Sequence, residues 1–228
     1  MKKLQLLLAF IFATSLLKQV KAQTKSTQPT PNIVLIFMDD MGYGDPEVYG
    51  GFPYHTPNIN KLAASGMRFT NFYAAQAVCS ASRAALLTGC YPNRVGISGA
   101  LMPWSTVALN PKEETIASIV KTKGYATGMI GKWHLGAKAP YLPTSYGFDE
   151  YLGLPYSNDM WPVGYDGKPI TDTGSKKSKY PTLQLLDGFN PVMPINNLED
   201  QSKLTTLYTE RAVRFIGNNK NKPFFLYL

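Results

Sequence analysis

Cys79 and Arg83 stand four residues apart at the head of Cys79-Ser80-Ala81-Ser82-Arg83-Ala84-Ala85-Leu86-Leu87-Thr88-Gly89, where apolar residues recur at helical spacing. On a helix, positions i and i+4 share one face. A helix start also carries unpaired N–H groups and a partial positive charge. A reactive group made from Cys79, with a guanidinium beside it, is therefore placed to meet an anion. A second pair, Lys132 and His134, lies in Gly131-Lys132-Trp133-His134-Leu135-Gly136. On an extended segment these two have the same parity, so the lysine can bind an anion where the histidine moves a proton. A third pair, Asp39 and Asp40, directly follows an apolar run and precedes Met41-Gly42-Tyr43-Gly44-Asp45. Adjacent carboxylates repel unless a cation or a shared proton compensates, and their oxygens suit Ca²⁺ or Mg²⁺.

Each pair also has a plainer reading. Asp and Gly are common turn residues, and single lysines and histidines are mostly surface groups. Cys79 could be half of a disulfide with Cys90, the other of the two cysteines. If residues 80–89 are helical, however, the two lie roughly 16 Å apart along the axis. A disulfide needs Cα atoms within about 7 Å. Cys90 reads as a buried small hydrophobe.

The elements that must hold these groups alternate along the chain. Residues 32–38 form a continuous apolar run, the pattern of a buried parallel strand. Residues 57–65 read as a helix stopped by Gly66, and 67–75 as a strand. The Cys79 segment opens a second helix. Residues 112–123 read as a third, with acids first, lysines last and Gly124 as C-cap. Residues 125–130 read as a strand, 200–218 as an amphipathic helix and 223–228 as an apolar strand. The Pro- and Gly-rich stretch 136–200 reads as long shaped loops. Strands alternating with helices predict an α/β sandwich around a largely parallel sheet. Asp39 and Asp40 then lie beyond the carboxyl end of the first strand, where open α/β sheets bind ligands.

The N-terminus bears on compartment. Lys2 and Lys3 precede an apolar stretch from 4 to 17, and Val20-Lys21-Ala22 resembles a small-residue cleavage site. Residues 1–22 are read as a signal peptide, because the apolar stretch is shorter than the roughly 20 residues that span a bilayer. Export to a periplasmic, extracellular or, in a eukaryote, lysosomal compartment follows, with no stable membrane anchor. Two unpaired thiols are unusual there, and chemical conversion of Cys79 would remove half of that puzzle. Residues 23–31 read as a linker. Removing residues 1–22 takes away four lysines and no acid, lowering the net charge from +8 to +4. No Lys/Arg stripe argues for nucleic acid.

Taken together, these segments resemble the sulfatase family. Residues 79–83 match its C-x-(P/A)-S-R signature, whose cysteine is oxidised after translation to formylglycine, the catalytic aldehyde. Residues 39–45 match a D-D-x-G-x-G-D element and residues 131–136 match G-K-W-H-L-G. Gly153-Leu154-Pro155-Tyr156-Ser157-Asn158-Asp159 is similar to the arylsulfatase A type. The resemblance implies an alkaline-phosphatase-like α/β fold and hydrolysis of aryl or carbohydrate sulfate esters. It implies Ca²⁺, or less readily Mg²⁺, held by Asp39, Asp40 and the modified Cys79. It gives Cys79, Arg83 and His134 catalytic roles, and Lys132 and Ser157 substrate contacts, with Asp45 left as a turn residue. A formylglycine-generating maturase is an implied partner. Ala81 stands where proline is commoner, and Cys90 where many members have arginine.

The family also supplies a further histidine just after a strand like residues 223–228, then an Asp-Asn metal pair and another lysine. Residues 32–228 are accordingly expected to be the N-terminal part of a catalytic domain whose sheet is incomplete at its C-terminus, inactive alone. Two rivals stand beside this reading: a phosphate or phosphonate monoester hydrolase of the same superfamily, and a catalytically silent protein that binds sulfated glycans.

Overall fold

Periodicity two is written into the strands that carry the site. In Ala126–Lys132, Met129 packs against one face of the sheet while Ala126 and Ile130 pack against the other. In Phe224–Tyr227, Phe225 and Tyr227 join Met129, while Phe224 and Leu226 join Ile130. Both strands are buried on both faces, which is why their sequences are mostly apolar, Thr127 and the terminal Lys132 excepted. The computed structural model describes residues 30–51 and 54–228. The expected signal peptide, and all but the last two residues of the expected linker, lie outside the described residues. Among the described residues, no helix is long and apolar enough to cross a membrane.

The strands are β1 (Ile33–Leu35), β2 (Ala126–Lys132), β3 (Glu150–Leu154), β4 (Leu183–Asp187), β5 (Asn190–Ile195) and β6 (Phe224–Tyr227). They form one sheet in the order β1-β6-β2-β3-β4-β5. The pairs β1–β6, β6–β2 and β2–β3 are parallel, and β3–β4 and β4–β5 are antiparallel. The helices are α1 (Pro57–Ser65), α2 (Cys79–Thr88), α3 (Ile116–Lys121), α4 (Leu198–Ser202) and α5 (Leu204–Asn219). Ala81, Ala84 and Leu87 of α2 and Ala117 of α3 pack with Trp133, Tyr146 and Phe148 on one face, and Ala212 and Phe215 of α5 on the other. Burying an apolar side chain of Phe215's size stabilises by roughly 1.5–3 kcal/mol.

The expected elements hold with five corrections. The run 32–38 is a strand only over Ile33–Leu35, and it is not buried: Val34, Ile36 and Met38 are exposed, because β1 is an edge strand. Residues 67–75 are not a strand; Met67, Phe69, Phe72 and Tyr73 are all more than 60% exposed. That stretch is fastened by side chains instead, with Tyr49 Oη donating to the Phe69 carbonyl at 2.9 Å and Arg68 donating to the Val48 carbonyl. The helix expected from 112 starts only at Ile116. Thr115 makes a reciprocal capping box with Ser118, and that fixes the start more firmly than the acids before it. The helix expected over 200–218 is two helices, α4 capped by Asn197 and α5 following Lys203. The stretch 136–200 is not loops alone but holds β3, β4 and β5. Pro191 and Pro194 mask β5, and proline is tolerated there because β5 is an edge strand. Cys90, finally, is exposed rather than buried.

Candidate active site

β2 ends at Lys132, and two glycines decide how. Gly131 has φ 114°, a backbone that turns its carbonyl toward β3. Its register partner there is Gly153, and a Cβ on Gly153 would sit 1.7 Å from that carbonyl oxygen. No side chain fits, so both strands need glycine at this level. Beyond it the chain leaves the ladder: Trp133 N–H donates to the Leu154 carbonyl at 2.9 Å, and His134 N–H to the Pro155 carbonyl at 3.2 Å. Trp133, fully buried, anchors the turn, its Nε1 donating to the Tyr141 carbonyl at 2.8 Å.

Lys132 is the hub. Its Nζ lies 2.6 Å from Asp39 Oδ2, 3.1 Å from Ser157 Oγ and 3.2 Å from Cys79 Sγ. Cys79 begins α2. The preceding Val78 supplies no side-chain cap, so the first-turn N–H groups are left without one. Cys79 Sγ is 3.9 Å from Asp39 Oδ1. Both cysteines are free.

Arg83 sits one turn along α2, as expected, but only 3% exposed. Its Nη1 donates to the Lys132 carbonyl at 2.7 Å and to Tyr227 Oη at 3.2 Å. Its Nη2 faces Asp39 at 3.6 Å, and the guanidinium lies 5.3 Å from the centre of the Phe37 ring. Arg83 therefore organises the hub from behind. Burial pushes the Asp39 carboxyl up, but the hydrogen bond and charge of Lys132, aided by Arg83, outweigh it and hold Asp39 below the usual carboxylate range.

Two expected site residues make no direct hydrogen bond or ion pair with this cluster. Asp40 follows Asp39 at φ 56°, a left-handed turn conformation that aspartate tolerates, and makes no ion pair among the described residues. His134 is 1% exposed and adopts φ 61°, so it is not on an extended segment with Lys132 as expected. Its Nε2 lies 2.7 Å from the Leu101 carbonyl, and its Nδ1 is buried without a partner. Burial lowers its pKa to about 4, the Leu101 bond opposing and the Lys132 and Arg83 charges assisting, so the ring is neutral near pH 7. Asp45 closes a turn, accepting from Gly42 N–H at 2.6 Å.

The donor chemistry at Asp39 and Asp40 fits a hard cation, but the number of donors falls short. No group of three or more His, Cys, Asp or Glu among the described residues could hold a metal. Ca²⁺ takes about six to eight oxygens.

Sequence reasoning missed three participants. In the sequence Tyr227 reads only as part of an apolar strand, though its hydroxyl, kept neutral by burial, meets Arg83. Ser80 is fully buried and accepts from Leu101 N–H at 3.0 Å. Leu101 acts through its backbone, which leaves no mark on residue type.

A profile of the sulfatase family matches residues 31–228. The chain is 39% identical to arylsulfatase G of Mus musculus over 219 residues, 90% of this chain and 41% of the relative. It is 49% identical to arylsulfatase A of Homo sapiens over 151 residues, 65% of this chain and 30% of the relative. The chain thus spans less than half the length of these relatives. The crystal structure of the PsFucS1 sulfatase from Pseudoalteromonas sp. superposes with a TM-score of 0.77 at 35% identity, covering 94% of this chain and 46% of that one. The fold is the expected alkaline-phosphatase-like one, a mixed, mostly parallel sheet flanked by helices.

Proposed function

This chain belongs to the sulfatase family, and from that premise we propose that it carries the nucleophile and anion-binding part of a hydrolase acting on aryl or carbohydrate sulfate esters. The observation behind the reading is Lys132 Nζ within 3.2 Å of Cys79, Asp39 and Ser157 at once. A sulfate monoester is an anion, and the Lys132 ammonium meets its non-bridging oxygens beside residue 79. The Ser157 hydroxyl donates to the same group. Arg83, which lines the same cavity as Lys132, pairs with Asp39, braces the Lys132 carbonyl and adds positive charge facing the ester.

Oxidised by a maturase to formylglycine and hydrated, residue 79 supplies the hydroxyl that attacks sulfur. Asp39, Asp40 and residue 79 would provide part of the shell of a hard cation, Ca²⁺ in preference to Mg²⁺, which would supply positive charge against that hydroxyl once further oxygen donors complete it. His134 Nδ1 takes up a proton from residue 79's second hydroxyl. Overall, water is consumed, the S–O bond to the alcohol breaks, and alcohol, sulfate and a proton are released. The protein acts after export.

The full gene product, coexpressed with a maturase, is the test. The peptide bearing Cys79 should be lighter by about 18 Da, the thiol-to-aldehyde change. Sulfate monoesters should turn over faster than phosphate monoesters, and Cys79→Ala should abolish turnover with the fold intact. An unmodified Cys79, or a preference for phosphate, would count against the proposal.

A further inference from the structure

We propose that Ser80 is a positioning residue: through the backbone of Leu101 it holds His134 with its proton on Nε2 and its Nδ1 free as an acceptor. The chemical purpose rests on the sulfatase reading; the geometry does not. Leu101 offers His134 a carbonyl at 2.7 Å, and a carbonyl can only accept. Nε2 therefore carries the hydrogen, and in the neutral ring Nδ1 carries the lone pair. That Nδ1 is buried and unpartnered. A buried acceptor without a donor is costly, and native structures rarely keep one without a use. An aldehyde hydrate brings a hydroxyl donor that a thiol side chain lacks.

The aim of the carbonyl is set one peptide unit earlier. Leu101 lies outside any helix or strand, so no ladder fixes it. Its N–H donates at 3.0 Å to the hydroxyl of Ser80, which is wholly buried in the first turn of α2. The path Ser80–Leu101–His134 thus begins at the residue next to Cys79 and returns to the site as a tautomer choice. The positive φ of His134 is a further sign that its ring direction is imposed by its surroundings. Ser80 is not needed to make the helix, because alanine is the better helix former.

The sequence holds two histidines, His55 and His134, so ring-¹⁵N spectra of this chain can be assigned with one His55→Gln variant. His134 should show a single neutral form protonated at Nε2. Ser80→Ala should turn His134 into a mixture of both neutral forms, and Ser80→Thr should restore the single form. A proton on Nδ1 in the parent chain, or an unchanged single form in Ser80→Ala, overturns the proposal. Should Ser80→Ala not fold, Ser80→Cys keeps a weaker acceptor and should give a partial mixture; an unchanged spectrum there overturns it equally. In the matured full gene product, Ser80→Ala should lower kcat per mole of aldehyde about tenfold with KM within about twofold, and a rise in KM alone would sink it. If the parent shows the Nε2–H form but neither aldehyde nor turnover, the sulfatase reading fails and this one stands.

Discussion

On the side of the site built by α2, β2 and β3, Ser80, Trp133 and Leu135 are fully buried, and Arg83 and His134 nearly so. On the side built by residues 32–77, Ile36, Met38, Leu62, Met67, Phe69, Phe72 and Tyr73 are all more than half exposed, and α1 buries no residue. Both sides contribute to one hub, yet only the first is held by its own packing. Asp39 is placed from across the gap, by Lys132 at 2.6 Å and Arg83 at 3.6 Å. The position of a functional group is as firm as the surroundings that restrict it. By that measure Cys79, Lys132, Ser157 and His134 are fixed by the fold, and Asp39 by ion pairing.

The sharpest test of this asymmetry pairs one aromatic from each side. Trp133→Ala should destabilise the chain by about 3–5 kcal/mol, because it empties a fully buried position and orphans the Tyr141 carbonyl. Phe72→Ala, at a site 71% exposed, should change stability by no more than about 0.5 kcal/mol. Urea unfolding of both variants decides the matter. Comparable losses would mean that residues 67–75 pack far better in solution than their exposure indicates.

The same asymmetry explains what could be read from sequence. Buried strands announce themselves, as β2 and β6 do, and helices carry their own local signals: Pro57 at the start of α1 and Gly89 closing α2 make both legible. Residues 67–75 have the apolar pattern of a strand without the partner that would make them one. The β4–β5 hairpin was missed, although Asp187-Gly188 between two partly apolar runs, with Gly188 at φ 60°, is a recognisable turn signal. At the site, Cys79, Arg83, Lys132 and Asp39 were legible because their chemistry is carried by side chains at fixed spacing. Leu101 and Ser80 were not, since their contribution depends on a long-range backbone contact.

Acidification probes the packed side next. His134 is held neutral, with a pKa near 4 against an ordinary 6.5. Between those values the unfolded chain binds a proton that the folded chain refuses, so stability falls as pH drops from about 6.5 to 4. The full loss is on the order of 3 kcal/mol. Asp39 and Asp149 lie below their usual range, so their contributions, present at neutral pH, fade only at lower pH as each is protonated. In His134→Gln the decline above pH 4 should largely vanish. If parent and variant lose stability in parallel over that window, His134 is not buried and neutral.

The smallest effect concerns the weakly packed side and its cation. In the full gene product, Ca²⁺ should raise thermal stability by mass action, and Asp40→Ala should remove most of that gain. In this chain, two adjacent carboxylates provide too few oxygens, and one is already paired with Lys132 and Arg83. A cation must displace an ammonium to reach Asp39. Calorimetric titration should therefore find weak or undetectable Ca²⁺ binding, with a thermal shift of less than about 1 °C. Lys132→Met, which frees Asp39 from its nearest competitor, should strengthen binding slightly, and Asp40→Ala should weaken it further. Tight, stoichiometric Ca²⁺ binding by this chain would reverse the comparison. It would mean that residues 32–77 hold their carboxylates ready without help, and that the exposed side is the better organised of the two.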